Sequence, residues 1–169
     1  MPTCCACIDE AFKIQLFGTI HKNGVYSVVV DENLWKLMQT HLGYDDKEME
    51  EFRGNPRNID VLAKASELIN KTIVAEVVES KNCNSQHKVG DRFIFDGAGN
   101  LLTKKSPKRI CIYALAELPK FIFAINELVY AGADPKKIRF KRTGCFDVGV
   151  ACGGWGHITI EIKVEERQK

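Results

Sequence analysis

Apolar and polar residues alternate near both ends of the chain, with the period of two that is typical of half-buried strands. The first alternation begins at Phe12, and an Asn23-Gly24 turn separates it from a second apolar run that ends at Val30. Asn-Gly is a preferred hairpin turn, so we predict a β-hairpin from Phe12 to Val30. At the other end, every second residue from Ile158 to Val164 is apolar, which predicts an amphipathic strand.

Between Asp31 and Asn70, apolar residues recur every three or four positions, which is the spacing of amphipathic helices. Asp31 can cap a first helix, and Gly43 is placed to end it. Asp45 and Glu48 have the spacing of a capping box, which indicates the start of a second helix. The pattern predicts three helices in this segment.

The second half of the chain combines short β-type segments with one long helical pattern. Thr72 to Val78 is rich in β-branched residues, and Arg92 to Phe95 has the composition of another strand. Ile112 to Tyr130 carries a helical apolar stripe. Pro119 lies inside that stripe, and because proline lacks a backbone donor it predicts a kink or two abutting helices.

The order of these elements predicts the α+β class, with an antiparallel or mixed sheet that carries helices on one side and a helical N-terminal insertion. The repeating β-α-β order of a parallel sheet is absent from the pattern. We expect two units that share one core. The first is a hairpin and helical unit at residues 1–71, and the second is a cysteine-containing α+β unit at residues 72–169.

Composition narrows the class of protein. Of the 169 residues, 45% are apolar and 27% are charged, a balance typical of globular proteins that argues against a disordered or fibrous chain. No run approaches eighteen uninterrupted apolar residues, and the first residues lack the basic and apolar segments of a secretory signal. We therefore expect a cytoplasmic protein with no membrane partner.

Charge is distributed unevenly along the chain. Residues 1–80 carry 8 Lys and Arg against 13 Asp and Glu, whereas residues 81–169 carry 16 against 9. The basic half can attract anions, and Lys141 and Arg142 are candidates to hold a small anionic substrate. No aromatic platform or recognition-helix pattern accompanies the basic residues, so a solvated face is favoured over a nucleic-acid partner. A homo-oligomer is left open.

Cysteine is unusually frequent for a cytoplasmic protein, and an odd number of cysteines cannot all pair within one chain. Free thiols and metal ligands are therefore the interpretations to weigh, and the oxygen-poor habitat of an anaerobe would suit both. The seven residues are Cys4, Cys5, Cys7, Cys83, Cys111, Cys145 and Cys152. From Cys83 onward they include no Cys-x-x-Cys pair, so that part of the chain lacks a zinc-ribbon or ferredoxin signature.

Three stretches of the second half resemble a family of small prokaryotic proteins of uncharacterised function. They are Cys83 to Asp91, Arg109 to Leu115 and Gly144 to Asp147. Members of that family pair a cysteine and a Lys-x-Gly-Asp turn with a cysteine at a helix start and a Cys-x-Asp near the last strands. The resemblance covers about residues 72–165 and implies a shared fold but no reaction.

The same resemblance implies that Cys83, Cys111 and Cys145 act together. Ile112 and Phe146 are departures, since the family often has proline at both positions. Thiolates are soft ligands suited to zinc and to iron–sulfur clusters, so one of these is the expected cofactor. A fourth ligand can be absent or can come from one of three further residues, which are Cys152, His87 and His157.

Two classes of function follow. The first is a small metal- or cluster-binding enzyme whose three cysteine ligands leave one position open for lyase, hydratase or carbon–sulfur chemistry. Its candidate proton-transfer residues are His87, Asp147 and His157. The second is a non-catalytic module with a structural Cys3His or Cys4 zinc site that binds a protein partner. Each cysteine can also be a small buried hydrophobe, and His157 can be a solvated imidazole.

Overall fold

The computed structural model describes residues 18–20, 26–28 and 30–167. Contacts along the chain divide it into two units, Met1–Ser66 and Glu67–Lys169. In the described part, helices and an antiparallel sheet together form an α+β protein, as the sequence predicts. None of the described helices combines the length and apolar character that a membrane crossing requires.

The first unit contains a short antiparallel pair of strands, β1 (Gly18–Ile20) and β2 (Tyr26–Val28). The second of these strands agrees with the predicted return strand of the hairpin. The strand that pairs with it lies later in the chain than the alternating residues that begin at Phe12. Those alternating residues lie outside the described part of the chain.

Three helices follow, as predicted. They are α1 (Glu32–Leu42), α2 (Asp46–Gly54) and α3 (Pro56–Ile69). Asp31 caps α1 by accepting a hydrogen bond from the Asn33 amide at 2.7 Å, and Gly43 ends the helix in the left-handed region at φ +76°. The capping box of α2 is present, because Asp45 and Glu48 each accept the other's backbone N–H.

A small apolar cluster holds the first unit together. Trp35 packs edge-on against Phe52 with ring centroids 6.0 Å apart, and the Arg53 guanidinium lies 5.1 Å from the Trp35 ring. The buried members of the cluster are Val30, Leu34, Trp35, Met49 and Leu62. The apolar faces of α1, α2 and α3 therefore meet at one core.

The second unit is built on a four-stranded antiparallel sheet. Its strands are β3 (Lys71–Lys81), β4 (Arg92–Asp96), β5 (Arg142–Gly144) and β6 (His157–Glu166), and their order in the sheet is β4-β3-β6-β5. The central pair, β3 and β6, runs in register from Lys71 opposite Glu166 to Lys81 opposite His157, with one shift between Val77 and Glu79. The alternating segment at the C-terminal end is thus a strand, as predicted, whereas β5 is not predicted.

Two helices accompany this sheet, α4 (Ile112–Leu115) and α5 (Pro119–Tyr130). Pro119 is the first residue of α5, so the predicted long helix is two helices. A core cluster joins Leu118, Phe121 and Ile125 to the apolar face of the sheet, where Ile160 is fully buried. The cluster also contacts Cys83, Cys111 and Cys145, which places the three thiols at the border of this core.

Each unit encloses a cluster of its own among the described residues. The expectation that the two units share one core stays a prediction.

Candidate functional site

A pocket of about 680 Å³ in the second unit brings the three candidate cysteines together. Each cysteine lies at the end of a regular element: Cys83 follows β3, Cys111 precedes α4, and Cys145 follows β5. All three are partly buried. The residues that line the pocket are Cys83, Asn84, Ser85, Cys111, Ile112, Tyr113, Cys145, Phe146, Asp147, Val148, Gly153, Gly154, Trp155, Gly156 and His157.

Cys111 occupies the position that precedes the first turn of α4, and its carbonyl accepts from the Ala114 amide at 3.1 Å. Burial raises the pKa of its thiol. Hydrogen bonds from the Ser85 side chain and from the Ala114 and Tyr113 amides outweigh burial, so the pKa of Cys111 lies below its ordinary value. A thiolate is the nucleophilic and metal-binding form of cysteine, and these contacts favour it.

Cys145 is held at the start of the connection between β5 and β6. Its amide donates to the Ile158 carbonyl at 3.0 Å, which extends the pairing of the two strands by one residue. Its thiol lies 3.6 Å from the Asp147 carbonyl, to which it can donate, and accepts from the Ile158 amide at 3.5 Å. The thiol is therefore fixed between two backbone groups at the pocket wall.

Asp147 organises the connection that follows Cys145. Its Oδ1 accepts from the Gly149 amide at 2.9 Å and from the Trp155 amide at 3.1 Å, and its Oδ2 accepts from the Gly156 amide at 3.1 Å. These bonds, led by those from Gly149 and Gly156, hold the pKa of Asp147 below its ordinary value. A carboxylate whose two oxygens are engaged in this way is suited to shaping a loop rather than to transferring protons.

Glycines let the connection approach its neighbours closely. A Cβ on Gly154 would overlap the Asp147 carboxylate, and a Cβ on Gly156 would overlap the carbonyl of Asn82 at the end of β3. The connection between β5 and β6 is thus pressed against the turn that carries Cys83. This close backbone approach brings Cys83 and Cys145 to the same pocket.

His157 lies at the start of β6 and lines the pocket. Its Nδ1 is 2.9 Å from the Asp147 carbonyl oxygen, which can only accept, so Nδ1 carries the proton of the neutral ring. Nε2 then keeps its lone pair and lies 3.5 Å from the Thr159 hydroxyl. An imidazole held through Nδ1 in this way presents Nε2 as a proton acceptor or a metal ligand.

His87 and Cys152 lie outside the pocket lining, although the sequence groups them with the site. His87 is buried at 4% exposure, with Nδ1 3.3 Å from the Asp91 carboxylate and the ring edge-on to Phe93 at 5.0 Å. Its Nε2 is buried and has no hydrogen-bond partner among the described residues. Cys152 is exposed, at the end of a 3₁₀ turn (Val150–Cys152).

The rim of the pocket is apolar, a property that the sequence analysis does not predict. Five lining residues are large, apolar and between 60% and 73% exposed, namely Ile112, Tyr113, Phe146, Val148 and Trp155. We call them the apolar rim. A sequence signal for the rim does exist, because Ile112 and Tyr113 come directly after Cys111, and Phe146 comes directly after Cys145.

Among residues 18–20, 26–28 and 30–167, no group of three or more His, Cys, Asp or Glu side chains that could hold a metal ion is found. The two basic candidates for substrate binding also lie apart from the pocket lining. Lys141 and Arg142 lie 3.5 Å and 3.4 Å from Oε1 of Glu161, with which they form ion pairs.

Comparisons of the chain with protein-family models, with curated proteins and with solved structures give no match. The resemblance of residues 72–165 to a small prokaryotic family stays a prediction, and the function is argued from the pocket itself.

Proposed function

We propose that the pocket of the second unit is the site of a small enzyme, in which Cys83, Cys111 and Cys145 hold a soft metal ion or an iron–sulfur cluster. The observation that carries this proposal is that three cysteines distant in sequence line one pocket. Structural cysteines need only fill apolar space, whereas these three border the core and also face an open volume.

The donor set suits zinc or a cluster, because both prefer thiolate ligands and Cys111 is held in surroundings that favour its thiolate. Within the described part of the chain, no trio of His, Cys, Asp or Glu side chains is already arranged as a metal-binding group. Binding therefore requires the three cysteine side chains to reorient, and the Cys145 thiol to lose the proton that it can donate to the Asp147 carbonyl. Three protein ligands leave a position at which a bound metal would supply Lewis-acid chemistry.

Two further residues of the pocket are assigned to proton transfer and to positioning of the loop. His157, with its proton on Nδ1, offers the Nε2 lone pair to accept a proton from a bound molecule. Asp147 positions His157 through its backbone carbonyl and the loop through its carboxylate. We assign proton transfer to His157 and loop positioning to Asp147, within lyase, hydratase or carbon–sulfur chemistry.

Anaerobic purification followed by metal and sulfide analysis tests the proposal. The background is a chain with Cys4, Cys5 and Cys7 replaced by Ser, so that metal held by these three thiols is not counted. We expect about one zinc ion or one cluster per chain, lost in Cys111→Ser and retained in the matched control Cys152→Ser. Absence of stoichiometric metal, or equal metal in both variants, contradicts the proposal.

One observation favours the second class, a non-catalytic module with a structural zinc site. The Nε2 of His87 is buried without a hydrogen-bond partner among the described residues, and its Nδ1 contacts Asp91, which is the arrangement of a zinc-ligating histidine held by a carboxylate. In that case His87→Ala empties the site and unfolds the second unit, because loss of a structural ligand costs folding free energy. In the enzyme, His87→Ala leaves the metal bound.

A further inference from the structure

We infer that the pocket binds an uncharged molecule with a planar aromatic ring, held against the side chains of Tyr113, Phe146 and Trp155. The inference rests on the proposed function only in taking the pocket as a small-molecule site, and it does not require the metal. It names the class of substrate that the enzyme would take.

The first support is the exposure of the apolar rim. Trp155 is 73% exposed, Phe146 70% and Tyr113 60%, and all three line the pocket. Scattered exposed apolar residues need no explanation, but several large ones around a concavity are characteristic of a binding site. The volume of about 680 Å³ lies within the usual range for small-molecule pockets.

The second support is the rigidity of the aromatic residues. The rings of Tyr113 and Phe146 stack with centroids 5.9 Å apart at 27°, and the Phe146 amide donates to the Tyr113 carbonyl at 3.2 Å. The backbone of Trp155 is fixed by its hydrogen bond to the Asp147 carboxylate. Rings held in place, as those of Tyr113 and Phe146 are by their stacking, lose little conformational entropy on binding and offer flat faces, which favours a flat ligand.

The third support is charge. No Lys or Arg belongs to the pocket lining in the described part of the chain. Asp147 is the carboxylate in this described lining, and loop amides engage it. Lys141 and Arg142 lie outside the lining and pair with Glu161. Among the described lining residues, an anionic ligand would therefore find no Lys or Arg, and a cationic ligand would find no unengaged carboxylate. This favours an uncharged ligand over the anionic one that Lys141 and Arg142 suggest in the sequence.

We infer a small molecule and not a second protein because the apolar rim residues line the same cavity as Cys83, Cys111, Cys145 and His157. A group attached to the ring can reach these side chains while the ring lies against the rim. Catalytic pockets usually combine apolar and aromatic lining residues with a few reactive side chains.

Ligand-observed saturation-transfer NMR on the full chain tests the inference with three matched probes: naphthalen-2-ylmethanol, 2-naphthoate and decahydronaphthalen-2-ylmethanol. We expect the first to bind at least about fivefold more tightly than the anion and the saturated alcohol. Trp155→Ala and Phe146→Ala should each weaken its binding by roughly two- to tenfold, the range for loss of one aromatic contact. Phe140→Ala removes an 82% exposed ring outside the pocket lining and should leave binding unchanged.

A second readout is chemical protection. Saturating naphthalen-2-ylmethanol should slow alkylation of Cys111 by iodoacetamide and leave Cys152 unaffected. Equal binding of the three probes, or equal loss in Phe140→Ala and Trp155→Ala, overturns the inference. So does a dimer in sedimentation that Trp155→Ala dissociates, together with no probe binding, because the rim is then a protein interface. Probe binding by metal-free protein upholds this inference while the metal analysis decides the proposed function separately.

Discussion

At Cys111, three hydrogen-bond donors stabilise the thiolate against the opposing effect of burial. Removing one donor with Ser85→Ala should raise the pKa of the Cys111 thiol, because the charged form loses a stabilising contact. The pH profile of Cys111 alkylation, followed by mass spectrometry, should therefore shift to higher pH. Asn84→Ala, at a neighbouring lining position, is the matched control. An unshifted Ser85→Ala profile contradicts this account of the thiol.

The lowered pKa of Asp147 predicts that its contribution to the stability of the fold depends on pH. A carboxylate whose pKa is held below its ordinary value of 3.8 stabilises the folded protein above that value, and the contribution is lost as pH falls toward the folded pKa. Asp147→Asn should therefore lower the free energy of unfolding at pH 7, and the difference from wild type should shrink below pH 3.8.

Urea denaturation of wild type and Asp147→Asn at several pH values measures this difference. Amide hydrogen exchange should also speed up at Gly149 and Gly156, whose N–H groups the carboxylate accepts. Asp60→Asn, at an exposed position of α3, serves as the control. A difference that stays constant between pH 7 and pH 3 would mean that the charge of Asp147 contributes nothing.

Among the elements, those with local signals are the ones that the sequence predicts well. Asp31, Gly43 and the Asp45 capping box define helix ends through contacts within a few residues, and the structure confirms them. Pro119 acts locally in the same way. By contrast, β5 has only three residues, and it is a strand only because β6 lies beside it.

The site follows the same division. The sequence singles out Cys83, Cys111 and Cys145, and the structure brings all three to one pocket. The sequence pattern does not reveal that His87 lies outside the pocket lining, or that Trp155 and Phe146 are exposed aromatic residues of that lining. Those facts depend on how the connection between β5 and β6 folds back onto the turn after β3, a contact between segments more than sixty residues apart.

The close approach of Gly156 to Asn82 leads to a prediction about the connection between β5 and β6. Gly156→Ala would drive a Cβ into the Asn82 carbonyl, so it should destabilise the protein by about 1–3 kcal/mol and move the connection away from Cys83. Gly54→Ala is the matched control, because a Cβ there meets nothing within 4 Å, and alanine in a helix is favoured by up to about 1 kcal/mol. Chemical denaturation compares the two variants, and equal stabilities would contradict the close approach.

At the scale of the whole molecule, the presence of one apolar cluster in each unit raises the question of whether the two units unfold together or separately. Leu34 is a buried member of the cluster in the first unit, and Ile160 is fully buried in the second. Truncating either residue to alanine should cost about 2–5 kcal/mol, because a buried branched side chain leaves a cavity. If each unit is stabilised by its own cluster, the loss of stability should be confined to the unit that carries the substitution.

Because each unit encloses a cluster of its own, we expect Leu34→Ala to speed amide hydrogen exchange in α1 and α2 and to leave β3 and β6 protected. Ile160→Ala should do the reverse. Mass spectrometry of exchanged peptides from the full chain distinguishes the two responses, with wild type as reference. If each variant instead lowers protection equally in both units, the chain unfolds as one cooperative body and the shared core expected from the sequence is the correct description.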